Sequence, residues 1–369
     1  MKGTQAPYLE RLDHLRFFAA ALVVLFHFFH AYAPDLRANN PLVSLIDEGH
    51  TGIGLFMVIS GFVFTWIARD REVSYAPFLF SRFVRIYPLF TFAVFLQLMI
   101  STYNEERNYG FLALLGWLMP FRSETVPLSQ YFVQLWTIWV EFQFYLLFPF
   151  LHAFALRYGQ RYLLALIGLF ILIRALVFLA TGSVRFLAYE TIFGRMDQFL
   201  IGMLAAHLYL RRPGIAASPL WLLAALAAAV GGIHLFSLTV GYTDLQHPAW
   251  IVCTTLEGLL WAAVLVSYLN ARVALPRAVE RALAALGAAS FSIYVMHNLV
   301  IAVLKRHVGL LTLGADTFTQ ALWTGLAVAL PAVVAVAAVT YLLVERPFFG
   351  YRRRYVEPRQ ATVQPGAAG

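Results

Sequence analysis

Long apolar stretches alternate along the chain with short polar connections. Because a transmembrane helix needs about 20 consecutive, mostly apolar residues, the pattern predicts an all-α, polytopic membrane bundle of about ten transmembrane helices. The predicted spans cover residues 15–32, 51–69, 83–102, 130–152, 161–180, 190–210, 219–238, 248–269, 284–304 and 320–344. A further apolar stretch, 110–120, is too short to cross a bilayer and is interpreted as an interfacial or re-entrant segment.

The composition excludes several classes of protein. Of the 369 residues, 61% are hydrophobic and 12% are charged, whereas soluble domains have about 45–50% apolar and about 25% charged residues. An ordinary cytosolic enzyme and a disordered chain are therefore excluded. The single cysteine, Cys253, excludes an internal disulfide and a cysteine-rich metal site, and we predict no metal centre. In a membrane protein, the formal net charge of +8 indicates contact with anionic lipids rather than with nucleic acid.

The basic residues predict the orientation of the bundle. If the ten spans alternate in direction, 17 Lys and Arg residues fall on the side of the N-terminus and 6 on the opposite side. The positive-inside rule then places both termini in the cytoplasm. We expect a cytoplasmic N-terminal segment at 1–14, a membrane domain at 15–349, and a basic, disordered cytoplasmic tail at 350–369.

A second interpretation of the first span is a cleavable signal peptide. A basic start, an apolar run and the small residues around Ala33 are typical of such a peptide. Against this interpretation, the run begins at Arg16 and is interrupted by His27 and His30.

Ionisable side chains inside a bilayer are candidates for functional residues because they are costly to bury. Arg16 and His27 lie eleven residues apart on the first span, so they share a helix face and are separated by roughly 16 Å along its axis. Arg82 and Arg85 share a face at the start of the third span. Simple topological flanking is the competing interpretation, and it is stronger for Arg82. Glu141 lies near the middle of the fourth span, where a carboxyl group must be protonated, paired or hydrated.

Four more ionisable residues fall within later spans. Arg195 and Asp197 lie two positions apart in the sixth span, where side chains point about 200° apart, so each needs a partner on another helix. Glu257 and His297 are further candidates, with structural hydrogen bonding as the competing interpretation.

Such a set of residues fits two chemistries. One is acid–base or nucleophilic catalysis, with arginines that hold an anionic substrate. The other is proton-coupled transport, in which similar groups form a relay. Composition and spacing do not choose between them, although the lack of evident half-repeats and broken helices favours an enzyme.

Several short motifs, in this order and at these spacings, resemble those of the acyltransferase 3 family of polytopic membrane O-acyltransferases. The resemblance covers residues 9–349. Its motifs are the pair Arg16 and His27 with ten residues between them, the segment Gly49–Phe62, the pair Arg82 and Arg85, the segment Leu135–Tyr145, the segment Ser290–His297, and Glu345-Arg346-Pro347. One position departs from the pattern, because Gly54 stands where the family usually has an aspartate.

The resemblance implies an enzyme of a bacterial inner membrane that moves an acyl group, most often acetyl, from cytoplasmic acyl-CoA. Acyl-CoA is a donor substrate, and no permanently bound cofactor is expected. The implied acceptor is a hydroxyl of an envelope or exported glycan or of a lipid-linked sugar. A carrier or flippase for a sugar-lipid or an acidic metabolite is the alternative function.

The resemblance also implies roles for the candidate residues. His27 acts as a general base or as an acyl-carrying nucleophile, and Glu141 orients His27 or raises its basicity. The remaining candidates bind substrates: Arg16, Arg82 and Arg85 hold the CoA phosphates, and Arg195, Asp197 and His297 contact the substrate.

Overall fold

The computed structural model describes residues 7–33, 40–103, 116, 131–242, 244–314 and 316–356. Helices dominate these ranges, and two residues, Val73 and Val356, form an isolated antiparallel bridge. The predicted segment 110–120 lies outside the described residues except for position 116, as do residues 357–369 of the predicted tail.

The helices are numbered in chain order over the described residues. They are α1 (Glu10–Tyr32), α2 (Pro41–Asp47), α3 (Gly52–Ala68), α4 (Tyr75–Tyr103), α5 (Trp136–Tyr158), α6 (Gln160–Thr181), α7 (Arg185–Glu190), α8 (Ile192–Arg211), α9 (Pro219–Thr239), α10 (Cys253–Asn270), α11 (Arg277–Ala288), α12 (Ser290–His307), α13 (Thr317–Thr324) and α14 (Leu330–Thr340). Wider π-helical turns at Gly325–Ala329 and Tyr341–Glu345 follow α13 and α14, and a 3-10 helix, Arg346–Tyr351, ends the series.

The all-α membrane bundle predicted from the sequence is confirmed. Within the described ranges, eight helical segments are long and apolar enough to cross a bilayer, and a bent pair could add a ninth. That pair is α11 and α12, which meet at an angle of 68° where one straight span, 284–304, was expected. Helix α8 coincides with the predicted span 190–210, but it is not among the eight segments that are long and apolar enough to cross a bilayer. The count of ten spans stays a prediction.

Helices α3 and α8 form the most closely packed pair in the bundle. A side chain at Gly61 would collide with the carbonyl of Phe199, and one at Gly202 would collide with the carbonyl of Val58. Small residues at such crossings let two backbones approach each other, which is a principal source of packing energy between helices in lipid. The crossing therefore anchors the centre of the bundle.

Helix α1 is part of this core. Its residues Ala19, Val24 and Phe28 are fully buried, and it contacts α3, α11 and α12. Cleavage at Ala33 would remove a central helix, so the packing favours a retained span over a signal peptide.

The two ends of the described chain lie at the same end of the bundle. The indole of Trp66 donates a hydrogen bond to the carbonyl of Pro7 at the C-terminal end of α3. Just beyond that end, Val73 pairs with Val356. This placement agrees with termini on one side of the membrane, and their cytoplasmic location stays a prediction.

The positive-inside bias predicts where the connections around α9 lie. Reporter fusions after Ala216 and after Asp244, which precede and follow α9, should report opposite compartments, with Ala216 in the cytoplasm. Paired alkaline phosphatase and fluorescent protein fusions measure this. Fusions that report one compartment for both positions would contradict the predicted span count.

Candidate active site

Four of the predicted residues line one cavity. Arg16 from α1, Arg82 and Arg85 from α4, and Glu141 from α5 all contribute to the wall of a space of about 310 Å³. Because Pro7, Val356 and the α3–α4 connection lie at the same end as these arginines, we name this space the inner cavity. The spacing predicted that Arg82 and Arg85 share a helix face, and the family resemblance implied that Arg16 joins them.

The arginines of the inner cavity differ in how their charges are compensated. Arg16 donates a 2.6 Å hydrogen bond to Asp13, and Arg85 forms an ion pair with the fully buried Glu345. Arg82 instead lies over the rings of Phe64 and other aromatic residues. Among the described residues Arg82 forms no ion pair, and its Nε has no hydrogen-bond partner. The cavity therefore keeps an excess of positive charge.

A further arginine in the cavity wall was assigned no role from the sequence. Arg352 was placed in the predicted tail, but its guanidinium lies over the ring of Phe349, at 3.6 Å from the ring centre, and lines the cavity. Partial desolvation and the guanidinium groups of Arg85 and Arg82 lower the pKa of Arg352 to about 10. It stays protonated at neutral pH and adds to the positive field. Its position after a span made it look like ordinary topological flanking.

Glu141 is held by neighbours other than His27. Its Oε1 accepts hydrogen bonds from the hydroxyl of Ser60, at 2.8 Å, and from the hydroxyl of Tyr145, at 2.6 Å. Glu141 makes no direct hydrogen bond with His27, whose Nδ1 contacts Val23 and His297, so its role in orienting His27 or raising its basicity stays a prediction. Glu141 instead supplies a carboxyl group to the wall of the inner cavity.

His27 contacts His297, a residue that the sequence predicted as substrate-binding. The Nδ1 of His27 lies 2.9 Å from the carbonyl of Val23 and 3.2 Å from Nε2 of His297. His297 is fully buried, and its Nδ1 lies 2.6 Å from the carbonyl of Tyr294. The structure therefore places His297 as a partner of His27.

These contacts determine where the protons of the two imidazoles lie. A carbonyl can only accept, so Nδ1 of His297 donates to Tyr294 and leaves Nε2 of His297 as an acceptor. Nδ1 of His27 then donates to Val23 and to His297. The proton-free nitrogen of His27 is Nε2, and it has no hydrogen-bond partner among the described residues. A lone pair on such a nitrogen can act as a base or as a nucleophile.

The inner cavity extends toward this histidine pair. Tyr294 and Thr137 line the cavity and share a 2.8 Å hydrogen bond. The ring of Tyr294 lies 5.7 Å from that of His297, measured between centroids. One aromatic ring thus separates the end of the cavity from the two imidazoles.

Arg195 and Asp197 have partners on other helices, as their spacing predicted. Arg195 pairs with Glu257 at 3.2 Å. Asp197 accepts a 2.8 Å bond from Arg174, and both are fully buried. Arg174 also donates to Thr254 and Thr255, so Asp197 belongs to a closed network. Arg174 and Asp197 themselves line neither cavity, although Thr254 lines the second cavity described below. The sequence did not single out Arg174, because a lone arginine in an apolar helix does not reveal its partner.

Arg195 and Glu257 line a second cavity of about 400 Å³, which we name the outer cavity. It lies at the opposite end of α3 from the arginine cluster, beside Glu48, His50 and Thr51. Within the described ranges, no group of three or more His, Cys, Asp or Glu side chains is placed to hold a metal ion.

The profile of a family described as an acyltransferase domain, acyltransferase 3, matches residues 9–344, which is most of the chain. This chain belongs to the acyltransferase 3 family. Acyltransferase MdmB of Streptomyces mycarofaciens is 27% identical over 371 aligned positions, which cover 92% of this chain and 91% of that protein. No solved structure matches the chain. The protein is thus an integral, multi-pass membrane acyltransferase.

The acyltransferase depends on the Arg174–Asp197 pair for stability. Asp197→Ala should lower the free energy of unfolding by about 3–5 kcal/mol, because it leaves a buried guanidinium without its counter-ion. Unfolding in mixed micelles by titration with sodium dodecyl sulfate measures the change.

The matched control removes both charges. The double variant Arg174→Met/Asp197→Leu should recover much of the loss, since a buried pair is often replaceable by apolar residues of similar volume. A single variant as stable as the natural protein would show that the network contributes little.

Proposed function

We propose that the acyltransferase takes an acyl group, most often acetyl, from acyl-CoA on the cytoplasmic side of a bacterial inner membrane. The acceptor is a hydroxyl of an exported or envelope glycan or of a lipid-linked sugar. The observation that carries this proposal is the inner cavity. One end of it has an excess of arginine charge, and the other end extends toward His27, whose Nε2 has no hydrogen-bond partner among the described residues.

The donor binds with its phosphates at the arginine end. Guanidinium groups suit phosphates because they offer several donors in a planar fork. Arg82, whose charge no described carboxylate neutralises, is the principal anchor. Arg16, Arg85 and Arg352 add positive potential around it.

The thioester arm then follows the cavity toward the histidines. It passes Glu141 and Ser60 and ends at Thr137 and Tyr294. A side-chain movement of Tyr294 would bring the thioester to Nε2 of His27. We propose that Asp197 keeps a structural role, since its network is closed.

Nε2 of His27 is the reacting nitrogen in either of two routes. In one route Nε2 takes the proton of the acceptor hydroxyl, whose oxygen attacks the thioester carbonyl, and the C–S bond breaks. The proton then passes to the leaving thiolate, so the products are an ester and free CoA. In the other route Nε2 attacks the thioester carbonyl, the C–S bond breaks, and CoA leaves as the thiolate. The acceptor oxygen then attacks the acyl carbon, the C–N bond to Nε2 breaks, and the hydroxyl proton passes to the thiolate, so the products are again an ester and free CoA. In both routes, hydrogen bonds from Nδ1 to Val23 and His297 stabilise positive charge on the ring.

His27→Ala should abolish acyl transfer, a loss of at least about 10²–10⁴-fold, because it removes the reacting nitrogen. His297→Gln should be milder, since it removes only a partner of Nδ1 and the Val23 carbonyl remains. Transfer of labelled acetyl from acetyl-CoA in membranes measures both effects, with insertion checked by gel filtration of the purified variants.

The acetyl-transfer assay, combined with a transport measurement in proteoliposomes, tests the alternative of a carrier or flippase. A carrier would move its substrate across proteoliposomes without producing labelled ester or free CoA. Vesicles that show transport and no release of CoA would contradict the proposed function, and so would full transfer by His27→Ala.

Arg82→Lys should weaken binding of acetyl-CoA by about 1–2 kcal/mol, on the scale of a charge-assisted hydrogen bond. This corresponds to roughly 5- to 30-fold in affinity. Lysine keeps the charge but loses the planar fork. Titration of acetyl-CoA into the purified protein in nanodiscs measures the change.

Arg157→Lys is the matched control, because Arg157 is a solvent-exposed arginine outside both cavities. It should bind acetyl-CoA like the natural protein. If Arg82→Lys also binds normally, Arg82 serves topology alone, since insertion treats Lys and Arg alike.

A further inference from the structure

The outer cavity combines an apolar interior with a small polar end. Its apolar wall comes from α9 and α10 and includes Ile233, Phe236 and Leu260. Its polar end holds two polar pairs, the ion pair of Arg195 with Glu257 and the hydrogen-bonded pair of His50 with Glu48. Ligand sites in proteins have this composition, with a mostly apolar lining and a few polar groups that orient the ligand.

The two pairs leave one acceptor and one donor unused. Nε2 of His50 lies 2.8 Å from the carboxylate of Glu48 and donates to it, and in the neutral imidazole Nδ1 then carries the lone pair. This Nδ1 is buried and has no hydrogen-bond partner, and the same is true of Nη2 of Arg195. An unsatisfied buried polar atom is costly and needs an explanation. Both residues belong to the wall of the same cavity.

The ring of Tyr189 contacts both residues that carry the unsatisfied atoms, Arg195 and His50. The guanidinium of Arg195 lies 4.2 Å from the ring centre of Tyr189. The imidazole of His50 lies 5.2 Å from the same ring, between centroids. Both atoms are buried behind the cavity wall, so a hydroxylated group in the cavity reaches them after a small movement of the two side chains. It can then donate to Nδ1 of His50 and accept from Nη2 of Arg195, which are the two bonds that the protein leaves unmade.

The mouth of the outer cavity opens on the apolar surface of the bundle. Leu235, Leu256 and Leu259 line the cavity and are 62%, 54% and 53% exposed. Helix α9, which supplies one side of the mouth, is a membrane-span candidate with little buried surface. A mouth rimmed by exposed leucines on such a helix faces lipid, so a ligand enters from the bilayer.

We propose that the outer cavity binds the acyl acceptor, and that this acceptor is an amphiphilic alcohol with an apolar body and a hydroxylated polar end. The inference rests on the proposed function, which supplies the acyl donor from the inner cavity. Two sources share this chemistry: a lipid-linked sugar of the membrane and a hydrophobic hydroxylated compound dissolved in it. A water-soluble polysaccharide does not have it.

The experiment compares three acceptor fractions. Natural protein in nanodiscs of dioleoyl phosphatidylcholine receives labelled acetyl-CoA together with the lipid extract of the source cells, the ethyl acetate extract of their medium, or their water-soluble glycans. We expect chloroform-soluble labelled product. Its formation from the lipid extract indicates a lipid-linked acceptor, and its formation from the medium extract indicates a free compound. Label found only with the soluble glycans would overturn the inference.

Failure of the proposed function has a different signature. No labelled product in any fraction, together with no binding of acetyl-CoA by titration, contradicts the donor assignment and the inference with it. Binding of acetyl-CoA with transfer to soluble glycans alone leaves the proposed function intact and removes only the amphiphilic acceptor.

Two variants test the cavity itself. Leu259→Trp narrows the mouth and should raise the acceptor concentration for half-maximal rate at least tenfold, without changing the value for acetyl-CoA. Leu238→Trp is the matched control, because Leu238 is 62% exposed on the same surface but lies outside the cavity. Equal acceptor kinetics in both variants would overturn the assignment of the mouth.

His50→Gln tests the polar end. Glutamine keeps a donor for Glu48 but loses the acceptor at Nδ1, so the acceptor concentration for half-maximal rate should rise about five- to tenfold. Binding of acetyl-CoA should stay within twofold of the natural value, a separation that general misfolding would not produce. Unchanged acceptor kinetics would remove His50 from the site. If this variant does not fold, the Leu259→Trp comparison decides the proposal.

Discussion

Charge burial in lipid is the constraint on which the rest of this structure depends. A bilayer offers no water to an ionised side chain, so each one must find a partner or face a cavity. Arg174 with Asp197, Arg195 with Glu257, and Arg85 with Glu345 each join two different helical segments. These pairs fasten the helices at fixed positions, while glycine crossings such as that of α3 and α8 provide the close packing.

The sequence predicted much of the fold because the bilayer imposes a simple rule on length and hydropathy. Predictions from the sequence about side-chain positions also agreed with the structure where a single helix determines the geometry, as with the shared face of Arg82 and Arg85. They were weaker where the partner lay on another helix. Glu141 was expected beside His27, but Ser60 and Tyr145 hold it, and the contact of His27 with His297 joins residues far apart in the chain. Tertiary contacts of this kind have no periodic signature in one sequence.

The two cavities divide the protein by polarity as well as by position. The inner cavity holds four arginines against three nearby carboxyl groups, those of Asp13, Glu141 and Glu345, and so keeps an excess of arginines, which suits an anionic ligand. The outer cavity is mostly apolar and opens toward lipid. The histidine pair lies on α1 and α12, close to Phe26, whose ring also contacts His50 of the outer cavity. The two cavities thus approach the same pair of imidazoles from opposite ends of α3.

The departure of Gly54 from the family pattern has a physical counterpart in this arrangement. A β-carbon at position 54 would lie 2.9 Å from the carboxylate of Glu257, a separation that real structures do not show. An aspartate at 54 and the present position of Glu257 therefore exclude each other. Glu257 brings a carboxylate to the same place from α10, and it arrives already paired with Arg195. Gly54 therefore leaves the space that the carboxylate of Glu257 occupies in this structure.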